Sequence, residues 1–169
     1  MSSARQIVSN HALVKCYNAA TGDANSQTAD VFWQMVFATH FPMPSFLFTP
    51  AWPKSLPRRR RVLTFYPDVL DQPEIEVLWL EVMDASESGT NDDGHLVAAE
   101  AEAAHAVYAM AVIGTTFRLW RIGDGAARLE LVGGARTDDS EYLDAKSDEG
   151  CRLFFALRQE VYAAHKPSG

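Results

Sequence analysis

Residues 61–84, RVLTFYPDVLDQPEIEVLWLEVMD, constrain the fold more than any other stretch of the chain. β-Branched and aromatic side chains run through it, broken once at Asp71-Gln72-Pro73. The pattern predicts two strands, over 61–70 and 74–83, joined by a short turn. The first strand ends in Pro67-Asp68, and the second carries Glu81 near its end. Two carboxylates delivered by adjoining strands can share one divalent metal. Glu81 and Met83 lie two apart on a strand, so their side chains share a face.

The flanking sequence is organised around this pair. Residues 4–20 have modest helical spacing, residues 21–27 (TGDANSQ) read as a loop, and residues 29–40 form a stronger helix that Ser26 or Thr28 can cap. Residues 46–49 suit a short strand or an extended segment. The proline-rich PAWPKSLP over 50–57 cannot sit inside a sheet. Beyond the strand pair, the polar loop 84–94 leads into an alanine-rich segment, 96–110, which alanine's intrinsic propensity predicts as helix. Strands are expected over 112–116 and 117–122, then a turn at Gly123-Asp124-Gly125 and a returning arm over 127–132. A final helix spans 147–165. The order predicts an α/β sandwich around one mixed sheet, in a single domain over 1–169.

Composition narrows the chemistry. With 47% hydrophobic and 22% charged residues the chain is ordinary for a globular protein. No window approaches the ~20 apolar residues that span a bilayer. The first residues, MSSARQIVSNHALVK, lack the apolar core of a secretory signal, so an intracellular location, cytoplasmic or nuclear, is expected. Cys16 and Cys151 have neither CxxC spacing nor a histidine cluster beside them, which predicts reduced thiols and excludes a structural zinc site. A net charge of −7 works against nucleic-acid binding except through a local patch. The run Arg58, Arg59, Arg60, Arg61 is the patch on offer, and Arg118, Trp120 and Arg121 can extend it. The same run also suits a solvated loop that blunts a sheet edge. No Walker motif, GxGxxG or nucleophile elbow is present.

Motif and element order together resemble the PD-(D/E)XK nuclease superfamily, in particular its small stand-alone members of filamentous fungi. The likeness runs over about 28–132, with 1–26 as an N-terminal extension and 147–165 as a C-terminal helix. Pro67-Asp68 resembles the PD, and Glu81-Val82-Met83 stands where (D/E)XK is expected. The resemblance implies a restriction-endonuclease-like sandwich, a mixed central sheet flanked by helices. It also implies Asp68, Glu81 and the carbonyl of Val82 as ligands of Mg²⁺, with a polar residue on the following helix facing them. Glu102 is the nearest match for that residue, with Glu100 as a rival. Met83 departs from the motif, because a thioether supplies neither the charge nor the N–H of the lysine. Neither Lys54 nor Lys146 is an obvious replacement.

Each residue also has a plainer reading. Asp68 suits a strand-ending turn, Glu81 an edge of the sheet, and Glu100 and Glu102 a solvated helix face, with His95 and His105 nearby as further catalytic candidates. The expectation is therefore a degenerate, non-catalytic module of this fold that binds a protein or nucleic acid through the former active-site face. An active Mg²⁺-dependent nuclease with a variant site is one alternative. A structural or assembly protein, working as a homodimer, is another.

Overall fold

The computed structural model describes residues 5–23, 25–50, 59–84, 106–122, 129–131 and 142–165. Helices α1 (His11–Gly22) and α2 (Ser26–His40) precede strands β1 (Phe46–Pro50), β2 (Arg59–Phe65) and β3 (Ile75–Met83). Strands β4 (Tyr108–Ile113), β5 (Thr116–Ile122), β6 (Leu129–Leu131) and β7 (Leu143–Asp144) follow, then helix α3 (Asp148–Ala164). The sheet runs β1-β2-β3-β4-β5-β6, with β7 pairing onto β5. Among the described residues only the β3–β4 pair is parallel. A parallel pair needs a crossover connection, and residues 85–105, which span it, lie outside the described residues. The architecture is an α/β sandwich built on a mixed sheet.

α2 shows why the helices settle where they do. Ala29, Phe32, Trp33, Val36, Phe37 and His40 recur at helical spacing and are buried. Asn25 caps the helix, its side-chain oxygen accepting from the N–H groups of Gln27 and Thr28. The cap lies one residue before the expected Ser26, because an asparagine carboxamide reaches both donors. Trp33 Nε1 donates to the Gly114 carbonyl at 3.0 Å, pinning α2 to the turn between β4 and β5. Phe37 stacks on Phe48 with centroids 4.4 Å apart and meets Phe154 of α3 edge-on. Removing a ring so enclosed, as in Phe37→Ala, costs about 3–5 kcal/mol.

The sheet faces are unlike. Leu63, Leu80, Val82, Met110, Val112 and Leu119 point into one large core shared with α1, α2 and α3. The other face carries a smaller cluster containing Val62, Trp79, Met83, Ala109, Ala111 and Trp120. In the β2–β3 ladder Leu63 pairs with Leu78 and Thr64 with Glu76, so Val77 is the extra residue of a bulge. The bulge turns Val77 toward the large core, leaving Trp79, Glu81 and Met83 together on the opposite face.

Four expectations are corrected. Residues 5–10 are not helical, and α1 begins at His11 behind the cap Asn10. The strand expected over 61–70 ends at Phe65, since Pro67 has no N–H to give to a ladder. The helix expected over 96–110 gives way at its end to β4, whose residues 108–110 are strand; 96–105 lie outside the described residues. In YAMAVI the large residues Tyr108, Met110 and Val112 alternate with Ala109 and Ala111, and this period of two outweighs alanine's helical propensity. Finally, Gly114 belongs to a two-residue hairpin turn between β4 and β5, with φ 57° that favours glycine.

Candidate functional site

Asp68 and Glu81 are not neighbours. Phe65 pairs with Ile75 at one end of the β2–β3 hairpin, and Asp68 lies beyond it in the exposed turn. Glu81 pairs with Arg60 at the other end. Glu81 lies six residue steps along β3 from Ile75, which at ~3.3 Å per step is about 20 Å. One metal ion cannot hold both carboxylates.

Glu81 is instead built into the sheet. β3 is an inner strand, and the Glu81 side chain is 0% exposed on the face it shares with Trp79 and Met83. Directly across the ladder, Arg60 brings Nη2 to 3.5 Å from Glu81 Oε1, with its own side chain 5% exposed. A cation of the protein's own thus stands beside the Glu81 carboxylate. Val82 points to the opposite face and lies in the ladder between Arg59 and Val112. Met83 is buried in the apolar cluster with Trp79 and Trp120. The residues present do not fit the Mg²⁺ centre that the resemblance implies. Among the described residues no group of three or more His, Cys, Asp or Glu is arranged to hold a metal.

Two of the four arginines of the run, Arg60 and Arg61, are paired inside the fold. Arg61 makes a two-pronged contact with Asp30 of α2, Nε to Oδ1 and Nη2 to Oδ2, the latter at 2.9 Å. Its guanidinium also lies 5.9 Å from the centroid of the Phe48 ring. Alternation along β2 sends Arg60 to one face of the sheet and Arg61 to the other, each against its own carboxylate. Arg58 and the side chain of Arg59 lie outside the described residues, as do Glu100, Glu102, His95, His105 and Lys54. Arg118 lies over Trp120 and Tyr142 at 5.1 and 5.6 Å, and Arg121 is paired with Glu160 of α3. Lys146 sits over the Tyr17 ring at 4.0 Å.

Two features escaped the sequence reading. Asp144 accepts from the Tyr17 hydroxyl at 3.0 Å, the Thr115 hydroxyl at 2.9 Å and the Lys146 N–H at 2.7 Å, joining α1, β7 and the β4–β5 turn. Burial first, and Asp144 second, push the Tyr17 phenol up from its ordinary range. The second feature is a groove of about 490 Å³ between α2 and β1, lined by Val31, Met35, Met43, Phe46, Leu47 and Phe48. Val31, Met35 and Ala38 form an exposed apolar strip along α2 beside the exposed Gln27 and Thr39. Val31, Met35 and Met43 keep 47%, 36% and 72% of their surface exposed.

Compared with known proteins, the chain matches no family model, no curated protein and no solved structure. Among the described residues no helix is long and apolar enough to cross a membrane.

Proposed function

We propose that this chain is a non-catalytic binding module of PD-(D/E)XK-like descent, and that its partner is a protein. The element order supports the descent: a helix, an antiparallel β1-β2-β3 meander, and then β4 parallel to β3. The observation that carries the non-catalytic reading is the Arg60–Glu81 pair, in which a buried guanidinium stands across from the motif carboxylate. Phosphodiester hydrolysis by such a fold rests on a metal that activates water and neutralises developing charge, and Asp68 is too far along the hairpin to help hold one. Two arguments favour a protein over a nucleic acid. Arg60 and Arg61 are committed to Glu81 and Asp30 in a chain of net charge −7. The exposed apolar side chains of Val31, Met35 and Met43 are of the kind that mark protein contacts.

Calorimetric titration of Mg²⁺ and Mn²⁺ into the metal-free chain, beside Asp68→Ala and Glu81→Gln, tests the reading. It should be run with a cleavage assay on duplex and single-stranded DNA. No saturable metal binding and no cleavage are expected. Mn²⁺ binding that is lost in Glu81→Gln, together with metal-dependent cleavage, would replace this reading with the nuclease. DNA binding that weakens steeply with salt and on Arg58→Ala/Arg59→Ala would make the partner a nucleic acid.

A further inference from the structure

Three parts of the fold meet at the last residue of α2. Residues 5–10 reach α1 without helical structure and place Ile7, 0% exposed, in the large core. The His40 ring, itself buried, donates from Nε2 to the Ile7 carbonyl at 2.9 Å. On its other side stand Phe154 and Phe155 of α3, with ring centroids 5.4 and 5.3 Å away. The His40 carbonyl accepts from Arg158 Nε at 2.9 Å and from the Tyr162 hydroxyl at 3.3 Å. One residue therefore fastens the N-terminal segment and α3 to the same end of α2.

We propose that His40 is an acid-sensitive clasp: its neutral ring holds residues 5–22 against the corner of α2 and α3, and protonation loosens that segment ahead of the rest of the fold. The neutral ring uses its single N–H on the Ile7 carbonyl. A second proton leaves the Ile7 bond in place but brings a full charge into a largely buried site close to Arg158. The groups that face the ring or its carbonyl from α3 are the cation Arg158 and the phenol Tyr162, while the N-terminal segment offers a backbone carbonyl. No carboxylate among the described residues balances an imidazolium there. Burial, and then Arg158, lower the His40 pKa, with the Ile7 bond acting in the opposite sense.

The sign follows from linkage. A histidine held below its unfolded pKa of about 6.5 lends stability that is present above that value and lost as pH falls toward the folded pKa. Within that window the constant for local opening rises about tenfold per pH unit. Amide hydrogen exchange of the full chain from pH 7.5 to 5, corrected for intrinsic rates, reads this directly. The α1 amides are expected to open with that slope and with a larger opening constant than those of β3 and β4, whose global opening also exposes His40 and so carries at least the same slope. His40→Gln, whose amide N–H can still donate toward Ile7, should lose the slope while keeping His11 and His165. A flat α1 response in the parent would overturn the clasp, as would α1 amides with the same opening constant as β3 and β4 throughout, or an unchanged slope in His40→Gln. If the variant fails to fold, the ring titration of His40 followed by NMR in the parent decides: a pKa at or above about 6.5 overturns the proposal.

Discussion

Arg60 and Glu81 face each other across the β2–β3 ladder, Nη2 3.5 Å from Oε1, with side chains 5% and 0% exposed. Breaking a pair this deep strands a buried charge, whereas replacing both partners by apolar groups removes the desolvation cost along with the attraction. Arg60→Met and Glu81→Leu are each expected to cost about 3–5 kcal/mol in urea unfolding. The double change Arg60→Met/Glu81→Leu should cost far less than the two singles together. Additive losses in that cycle would mean the two side chains act independently.

Arg61 and Asp30 tie β2 to α2 in the same manner on the opposite face, with side chains 13% and 6% exposed. Hydrogen bonds between charged groups contribute about 1.5–3 kcal/mol, and Arg61→Ala should lower stability by an amount in that range. Arg61→Lys should recover only part of it, because an ammonium cannot reproduce the two-pronged geometry. DNA affinity, measured by fluorescence anisotropy at low salt, should be the same for both variants and the parent. A clear drop in Arg61→Ala alone would return this arginine to the nucleic-acid surface.

The strand pair was legible because its alternation and its turn residues agree. β3 falls over Ile75–Met83, against an expected 74–83. What could not be read was register. Pro67-Asp68 and Glu81 are close in sequence to a metal motif, yet a hairpin folded at 66–74 sends them to opposite ends. Counting back from the turn puts Arg60 across from Glu81 to within a residue, and the Val77 bulge supplies that residue. Alternation along β2 sends Arg60 and Arg61 to opposite faces. That both halves are buried against carboxylates depends on Asp30 and Glu81 arriving from separate elements, which no local pattern encodes. The C-terminal end of the helix expected over 96–110 misled for a different reason: the small residues Ala109 and Ala111 serve a close-packed inner strand as well as a helix.

Gly150 lies in the first turn of α3, where the chain passes over the end of β7. A Cβ there would stand 2.2 Å from the Asp144 carbonyl oxygen and 2.9 Å from Ser147 Oγ, the cap that accepts from the Gly150 N–H. Backbone on one side and the cap on the other leave it no room, so Gly150→Ala should cost at least the upper part of the ~1–3 kcal/mol typical of overpacking. Gly22, at the end of α1, has nothing within 4 Å of the same position. Gly22→Ala should be neutral, or stabilising by up to about 1 kcal/mol through the unfolded chain. Thermal unfolding of the two variants side by side checks both, and equal midpoints would refute the close approach of α3 to β7.

Tyr108, Glu160 and Arg121 join the central sheet to α3. The Tyr108 hydroxyl donates to Glu160 Oε2 at 2.7 Å, and Arg121 holds the same carboxylate. Burial, followed by the Glu160 bond, pushes the phenol up to about 12. Because the folded pKa lies above the ordinary value near 10, the contribution to stability is complete below about pH 10 and fades as pH rises toward about 12. Ultraviolet titration should therefore show Tyr108 ionising last or near last among the five tyrosines. Tyr108→Phe should remove that late step and flatten the alkaline fall in stability between those two values. Ionisation of Tyr108 near pH 10 in the folded protein would show that the bond to Glu160 is not kept in solution.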